Sequence, residues 1–363
     1  QQLSTSSQTS IAIAHKLFLK YAPNFLIDLN VGLKHEGLKQ ILNKWENLES
    51  AQESKKLFVE NLRRTIQDRY AIEAERESYE RIKTKIKDTR KEIYQLLEMK
   101  EIKAAILEAI RNKIYNESYR LQSIPFELFQ NADDAVLELE EMGEHGSEGK
   151  QFVIHIEKDK LTFLHWGRPI NYYRNDPQYP DRDQFGFHRD LEKMLAFRSE
   201  KNYASIELGS EERTERTGQF GLGFKSVHLL TSEPRVLSGR LGFKIEGGRI
   251  PRELEQEHCD RLRAILNTYN DGYRYGLKGT LIELPFDNNA PLVIDFLKKH
   301  QSLTDIAKIF SDLAGILTVF AKRIRCCVVS DRTIQWQPAE IYSDIEVGDL
   351  DIKGQKEKAM CLR

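Results

Sequence analysis

Glu127, Asn131 and Asp134 stand at i, i+4 and i+7 within Glu127-Leu128-Phe129-Gln130-Asn131-Ala132-Asp133-Asp134-Ala135. That spacing puts a carboxylate, an amide and a second carboxylate on one face of a helix. A carboxylate so placed can act as a general base, and an amide oxygen can ligate a hard cation. Downstream comes Gly218-Gln219-Phe220-Gly221-Leu222-Gly223-Phe224-Lys225, followed by an apolar run to Leu230. Glycines let the backbone approach an anion closely, and the N–H groups opening the next helix then point at it. Gly279-Thr280 follows late in the chain. Taken together, these are the parts of a nucleotide site. Each piece alone is weak: the helical stripe is also what the wet side of any amphipathic helix looks like, and tight turns often use glycine triplets.

Two common phosphate-binding motifs are excluded. A Walker loop needs Lys-Ser directly after its last glycine, and here Phe224 intervenes between Gly223 and Lys225. A kinase would follow its glycine loop with His-Arg-Asp and Asp-Phe-Gly; the chain has no Asp-Phe-Gly, and its one His-Arg-Asp, His188-Arg189-Asp190, precedes the glycine segment.

The elements that must position these residues are readable in outline. Ser123 can cap the first helix, and Pro125 fits its first turn. Phe126, Leu128, Phe129, Ala132, Val136 and Leu139 cover much of the circumference, predicting a helix buried nearly all round. Phe152 to Ile156 alternates like a half-buried strand, a charged turn follows, and Leu161 to Leu164 reads as its hairpin partner. Arg235 to Ile245 reads as paired strands, Glu253 to Leu266 as a helix and Thr280 to Leu284 as a strand. Two helical segments to Phe320 come next, then a β-rich stretch from Arg323 with a partner over Thr333 to Tyr342.

Glu127 to Ala135 resembles the N-box of the GHKL (Hsp90-like) ATPases, and Gly218 to Phe224 is similar to their glycine box. The string Gln130 to Ala135 looks most like the ATPase domains of sacsin and its bacterial and plant relatives, including the NO VEIN type. The resemblance covers roughly Tyr119 to Ser330. It implies an α+β, Bergerat-type sandwich, with a mixed sheet covered by helices on one face. It implies ATP and Mg2+ as cofactors. Glu127 would be the general base, Asn131 the magnesium ligand and Asp134 a support of the nucleotide site. Thr280 would lie near the adenine, and the polar segment between Gly167 and Gly218 would be a lid, with Arg198, Lys201, Arg213 and Arg216 able to approach phosphates. Lid closure coupled to formation of a homodimer is what such a site drives in relatives.

One box departs from the family. Where relatives have Asp-x-Gly-x-Gly, this chain has His165-Trp166-Gly167-Arg168-Pro169. Gly167 is kept; His165 replaces the carboxylate that accepts from the adenine amino group. His165 is either a structural hydrogen-bonding residue or a base contact. A neutral imidazole accepts through only one nitrogen, so as a base contact it implies looser discrimination, with GTP competing within about one order of magnitude of ATP.

The 363 residues allow two domains. A hydrophobic fraction of 40% and a charged fraction of 31% describe a soluble globular protein rich in charged helices. A net charge of −1 gives no general pull toward nucleic acid or an anionic membrane, and no apolar run spans a bilayer. The chain opens Gln1-Gln2 without a secretory signal, suggesting an excised piece of a longer protein. Its four cysteines form no C-x-x-C pair, so a reduced, cytoplasmic setting is expected.

Residues 1–118 read as an α-helical region poor in glycine and proline. Ile82, Ile86, Ile93 and Leu97, then Ile102, Ile106 and Ile110, predict one long helix from Ala71 to Tyr115. This serves either as an arm packed on the core or as a coiled-coil dimerisation element. Residues 119–345 form the expected ATPase domain and 346–363 a polar tail, the start of a further region.

Two functions fit. The first is an ATP-hydrolysing module of a larger sacsin-like protein. The second is a nucleotide-gated interaction module with little hydrolysis, which by analogy with bacterial relatives would belong to an anti-phage or restriction-type system. A histidine kinase is excluded because the helix over 71–115 carries no histidine.

Overall fold

The computed structural model describes residues 33–65, 69–143, 150–174, 186–195, 223–269, 279–342, 345–352 and 354–362, with a few residues before 33. The chain is an α+β protein that divides into two units. One is Leu17–Lys113; the other comprises Gln1–Lys16 and Ile114–Arg363.

The helical unit contains α1 (Glu36–Thr65), α2 (Arg69–Leu97) and most of α3 (Lys100–Asn116). Leu38, Leu42 and Trp45 recur at i, i+4 and i+7 on α1 and are fully buried. Lys44 pairs with Glu92 at 3.4 Å, and Gln52 Nε2 donates to Tyr79 Oη at 3.4 Å, so α1 and α2 run antiparallel. The Arg90 guanidinium lies 5.0 Å from the Trp45 ring centroid.

The single long helix expected over 71–115 is instead two, broken at Glu98 and Met99. Met99 N donates to Leu96 O at 2.9 Å, closing a tight turn, and its side chain is exposed. The apolar pattern explains the break. Leu97 and Ile102 are five residues apart, so an unbroken helix would rotate the second set of isoleucines off the face of the first. With the break, Ile93, Leu97, Ile102, Ile106 and Ile110 are all buried.

The described residues of the second unit are built on a ten-stranded sheet. In chain order its elements are α4 (Ile124–Glu141), β1 (Gln151–Glu157), β2 (Lys160–His165), α5 (Asp190–Leu195), β3 (Arg235–Ser238), β4 (Leu241–Glu246), β5 (Ile250–Glu253), α6 (Gln256–Thr268), β6 (Thr280–Pro285), α7 (Pro291–Leu297), α8 (Asp305–Phe320), β7 (Cys326–Val329), β8 (Arg332–Tyr342), β9 (Ile345–Ile352) and β10 (Gln355–Leu362). The strands lie in the order β10-β9-β8-β7-β1-β2-β6-β3-β4-β5. The predicted β1–β2 hairpin forms, with Phe152 opposite His165 and Glu157 opposite Lys160. Among the described residues the pairings are antiparallel except β1 with β7, where Phe152 meets Cys327 and Ile154 meets Val329.

Alternation along β1 and β2 sends successive side chains to opposite faces. Phe152 and Phe163 point to one face, where Phe152 meets Phe129 of α4 edge-on at 5.5 Å and Phe310 of α8 at 5.7 Å. Val153 and Leu164 point to the other and join Leu262 and Leu266 of α6 in a second buried cluster. Helices therefore cover both faces, not one as expected: the apolar side of α6 needs a sheet face, and β2, β6 and β3 offer leucines there.

Residues 346–363 are likewise no loose tail. Ile345, Val347, Asp349 and Asp351 alternate with the opposite-facing Glu346, Gly348, Leu350 and Ile352, and this stretch pairs with β8 on one side and β10 on the other. Leu350 packs against Val319 of α8 and Trp336 of β8.

On the α6 face one carboxylate is wholly buried. Glu283 accepts from Arg261 Nη2 at 2.8 and 2.7 Å and from Arg235 Nη1 at 3.0 Å, with Lys160 Nζ at 3.3 Å. Burial alone would raise its pKa, but the hydrogen bonds from Arg261 and Arg235 and the charges of Arg261 and Lys160 hold it down at about 2. A folded pKa below the unfolded value gives stability that is present above the unfolded pKa and lost as pH falls through the folded one. We expect this part of the stability, at most roughly 3 kcal/mol, to disappear between about pH 4.5 and pH 2. Urea midpoints across that range, compared with those of Glu283→Gln, which lacks the titration, check it.

Candidate functional site

Helix α4 carries the chemistry, and one of its acids fixes where it lies. Asp133 is buried at 6% exposure and accepts three backbone N–H groups: Lys322 on Oδ2, Arg323 and Ile324 on Oδ1, each at 2.7 Å. These amides belong to the strand-entry segment ahead of β7, so the helix is tied to the parallel seam of the sheet. Asp134, expected to support a nucleotide, accepts from Lys322 Nζ at 2.8 Å. Ser123 is the N-cap residue but makes no side-chain cap; its hydroxyl donates to Arg120 O at 2.6 Å, and Pro125 sits in the first turn as predicted. The helix is buried on one side only, with Gln130 and Asn131 exposed.

At the start of α4 the glycine segment arrives. Gly223 precedes a 3-10 turn, Phe224–Leu229, in which Lys225, Ser226, Val227, His228 and Leu229 are buried. A Cβ on Gly223 would stand 2.7 Å from Glu127 Oε2, 3.7 Å from Asn131 Nδ2 and 3.8 Å from Asn131 Oδ1. A side chain there would have to push the Glu127 carboxylate aside, and the constraint comes from this close approach, not from the φ of −51°. Glu127, Asn131 and Gly223, far apart in sequence, thus share one place. Burial pushes the half-buried Glu127 carboxyl above its ordinary value.

Farther along the helix a second glycine makes a similar approach. A Cβ on Gly167 would lie 2.6 Å from both Ala135 C and Val136 N, and the next residue, Arg168, donates its N–H to Ala135 O at 2.8 Å. The two glycines thus mark points eight residues apart on α4, about 12 Å along its axis. Beside the second lies a polar row across three strands. His165 is opposite Thr280, and Thr280 is opposite Ser238. Ser238 Oγ and Thr280 Oγ1 are 2.6 Å apart, and Ser238 Oγ accepts from Ile170 N at 2.8 Å. His165 Nδ1 accepts from Gly167 N at 3.3 Å, and burial drops the ring's pKa to about 4, so it is neutral.

Arg168 locks the described part of the segment after β2. It donates to Glu138 Oε2 at 2.9 Å, Asp190 Oδ2 at 2.6 Å and Tyr172 O at 2.9 Å, and lies 3.7 Å from the Phe187 ring centroid. Asn171 Oδ1 caps α5 by accepting from Leu191 N at 3.0 Å.

Of the residues singled out in the sequence, the fold brings together Glu127, Asn131 and Gly223, and separately His165, Gly167 and Thr280. Phe224 and Lys225 follow directly in the turn. Gly218, Gln219, Phe220, Gly221 and Leu222 lie outside the described residues, as do Arg198, Lys201, Arg213, Arg216 and much of the expected lid. Sequence reasoning missed Asp133, Arg168 and Ser238. Asp133 left a signal, since it falls in the apolar stripe between Phe129 and Val136; Ser238 left none. No protein-family model matches the chain, and no curated protein matches it. Among the described residues, no group of three or more His, Cys, Asp or Glu side chains could hold a metal, and no helix is long and apolar enough to cross a membrane.

Asp133→Ala removes the acceptor of three backbone amides, one buried and two partly buried. It should cost roughly 2–4 kcal/mol, read as a lowered urea midpoint. Asp134→Ala, whose ion pair with Lys322 is partly exposed, should cost less, under about 1 kcal/mol.

Proposed function

We propose that the chain is a GHKL-type, sacsin-like ATPase module with a Bergerat-type site, binding a nucleoside triphosphate with magnesium along α4 and hydrolysing it. The observation that carries this reading is the place of Gly223. Its bare backbone lies directly against a carboxylate and an amide, where a Cβ would displace the Glu127 carboxylate, and it belongs to the segment expected to hold phosphates.

The residues fit the group. Asn131 offers an exposed amide oxygen, and magnesium is ordinarily held by one or two protein oxygens plus phosphate and water, so a dense acidic cluster is not required. Bound magnesium would neutralise phosphate charge. Glu127, with its carboxyl raised by burial, is a stronger base than an ordinary glutamate and would orient the attacking water and take its proton. The span of about 12 Å between the two glycine approaches suits a phosphate chain at one end and a base at the other. Coupling of hydrolysis to lid closure, to a homodimer or to other domains of a longer chain belongs to the same proposal.

Three variants test it. Glu127→Ala should keep nucleotide affinity within a few-fold while abolishing phosphate release. Asn131→Ala should lose magnesium-dependent binding by at least about tenfold, and Gly223→Ala should do the same without loss of helix content, read by calorimetry and circular dichroism. Hydrolysis by Glu127→Ala at the wild-type rate would overturn the catalytic role. Tight binding by wild type with no turnover would favour the nucleotide-gated module.

A further inference from the structure

The row His165, Thr280 and Ser238 lies on the sheet face that α4 covers, since His165 is the cross-strand partner of Phe152, which meets Phe129 of that helix. It sits where the chain leaves β2 and turns at Gly167 onto Ala135, the far end of α4 from Glu127. Within this turn the hydrogen-bond polarity of His165 is fixed. A backbone N–H can only donate, so Nδ1, which meets Gly167 N at 3.3 Å, must be the acceptor. The ring is neutral and carries one proton, and that proton is therefore on Nε2. His165 can offer a ligand a donor and nothing else.

This reverses what a carboxylate would offer at the same position. An aspartate accepts and so selects a base with an exocyclic amino group. An Nε2–H selects a base with an acceptor there. Thr280 Oγ1 and Ser238 Oγ hydrogen-bond each other and do not restore a fixed acceptor, because hydroxyls turn to suit either partner.

We propose that His165 makes this site selective for a 6-oxopurine nucleotide, guanine or hypoxanthine, over adenine. The inference rests on the nucleotide-binding reading above and names the base that reading leaves open. A donor facing the adenine amino group leaves two buried donors unmet, whereas the C6 carbonyl gains a hydrogen bond, so a difference of about tenfold in Kd is expected.

The test is competition binding of ATP, GTP and ITP to the wild-type chain with magnesium. ITP carries the C6 carbonyl without the 2-amino group. GTP and ITP binding alike, each about tenfold tighter than ATP, is the expected result, with His165→Asp moving the preference toward ATP. ATP binding as tightly as GTP and ITP overturns the inference and leaves the nucleotide site standing. GTP alone binding tightly means that the 2-amino group is read, and also overturns it. No binding of any of the three removes both readings. Nitrogen-15 imidazole shifts at neutral pH give a check that needs no variant: an Nδ1–H tautomer for His165 would contradict the proposal.

Discussion

One carboxylate determines how the second unit is assembled. Asp133 lies on the buried side of α4 and collects three amides from consecutive residues ahead of β7. The Ile324 amide would otherwise be a buried donor without a partner, and burying an unpaired donor costs more than a made bond gains. Helix position is thereby coupled to the centre of the sheet, because β7 is the parallel neighbour of β1. With α4 held there, Glu127 and Asn131 meet Gly223 at one end, and Ala135 meets Gly167 at the other. The site geometry follows from a residue that takes no part in the proposed chemistry.

The buried Arg168 does for the segment after β2 what Asp133 does for the helix. Its guanidinium is planar and carries several donors, so it can satisfy Glu138, Asp190 and a carbonyl at once while stacking on Phe187. A lysine could not reproduce this, having one point charge and no flat face. The carboxylates of Glu138 and Asp190 more than offset the cost of burying the cation, and its pKa lies above the ordinary arginine value.

Much of this was legible in the residues. Alternation gave β1, β2 and β6, and helical spacing placed Glu127 and Asn131 on one face. Other features depended on long-range partners. Alternation in Ile345 to Ile352 is interrupted by acids and Gly348, and only the neighbouring β8 makes it a strand. Helix α6 reads as amphipathic, but nothing local says which sheet face it takes. Asp133 and Asp134 are adjacent and chemically identical; one is buried on amides and the other meets a lysine, and only the position of the strand-entry segment separates them. Ser238 entered the polar row through the register of β3 on β6, which no local pattern states.

The parallel contact between β1 and β7 has a consequence for how the chain is made. β1–β2 and β7 through β10 are hairpin-connected neighbours that can pair with little loop closure, as soon as each emerges. β1 must wait for β7, and more than half of the second unit lies between Ile154 and its partner Val329. Non-local pairing of this kind is slow because chain entropy is lost before contacts repay it. We therefore expect the seam to close late in folding. Until it does, β1 and the β7–β10 meander each carry an open edge, which makes the nascent chain most prone to wrong partners at this one line of hydrogen bonds.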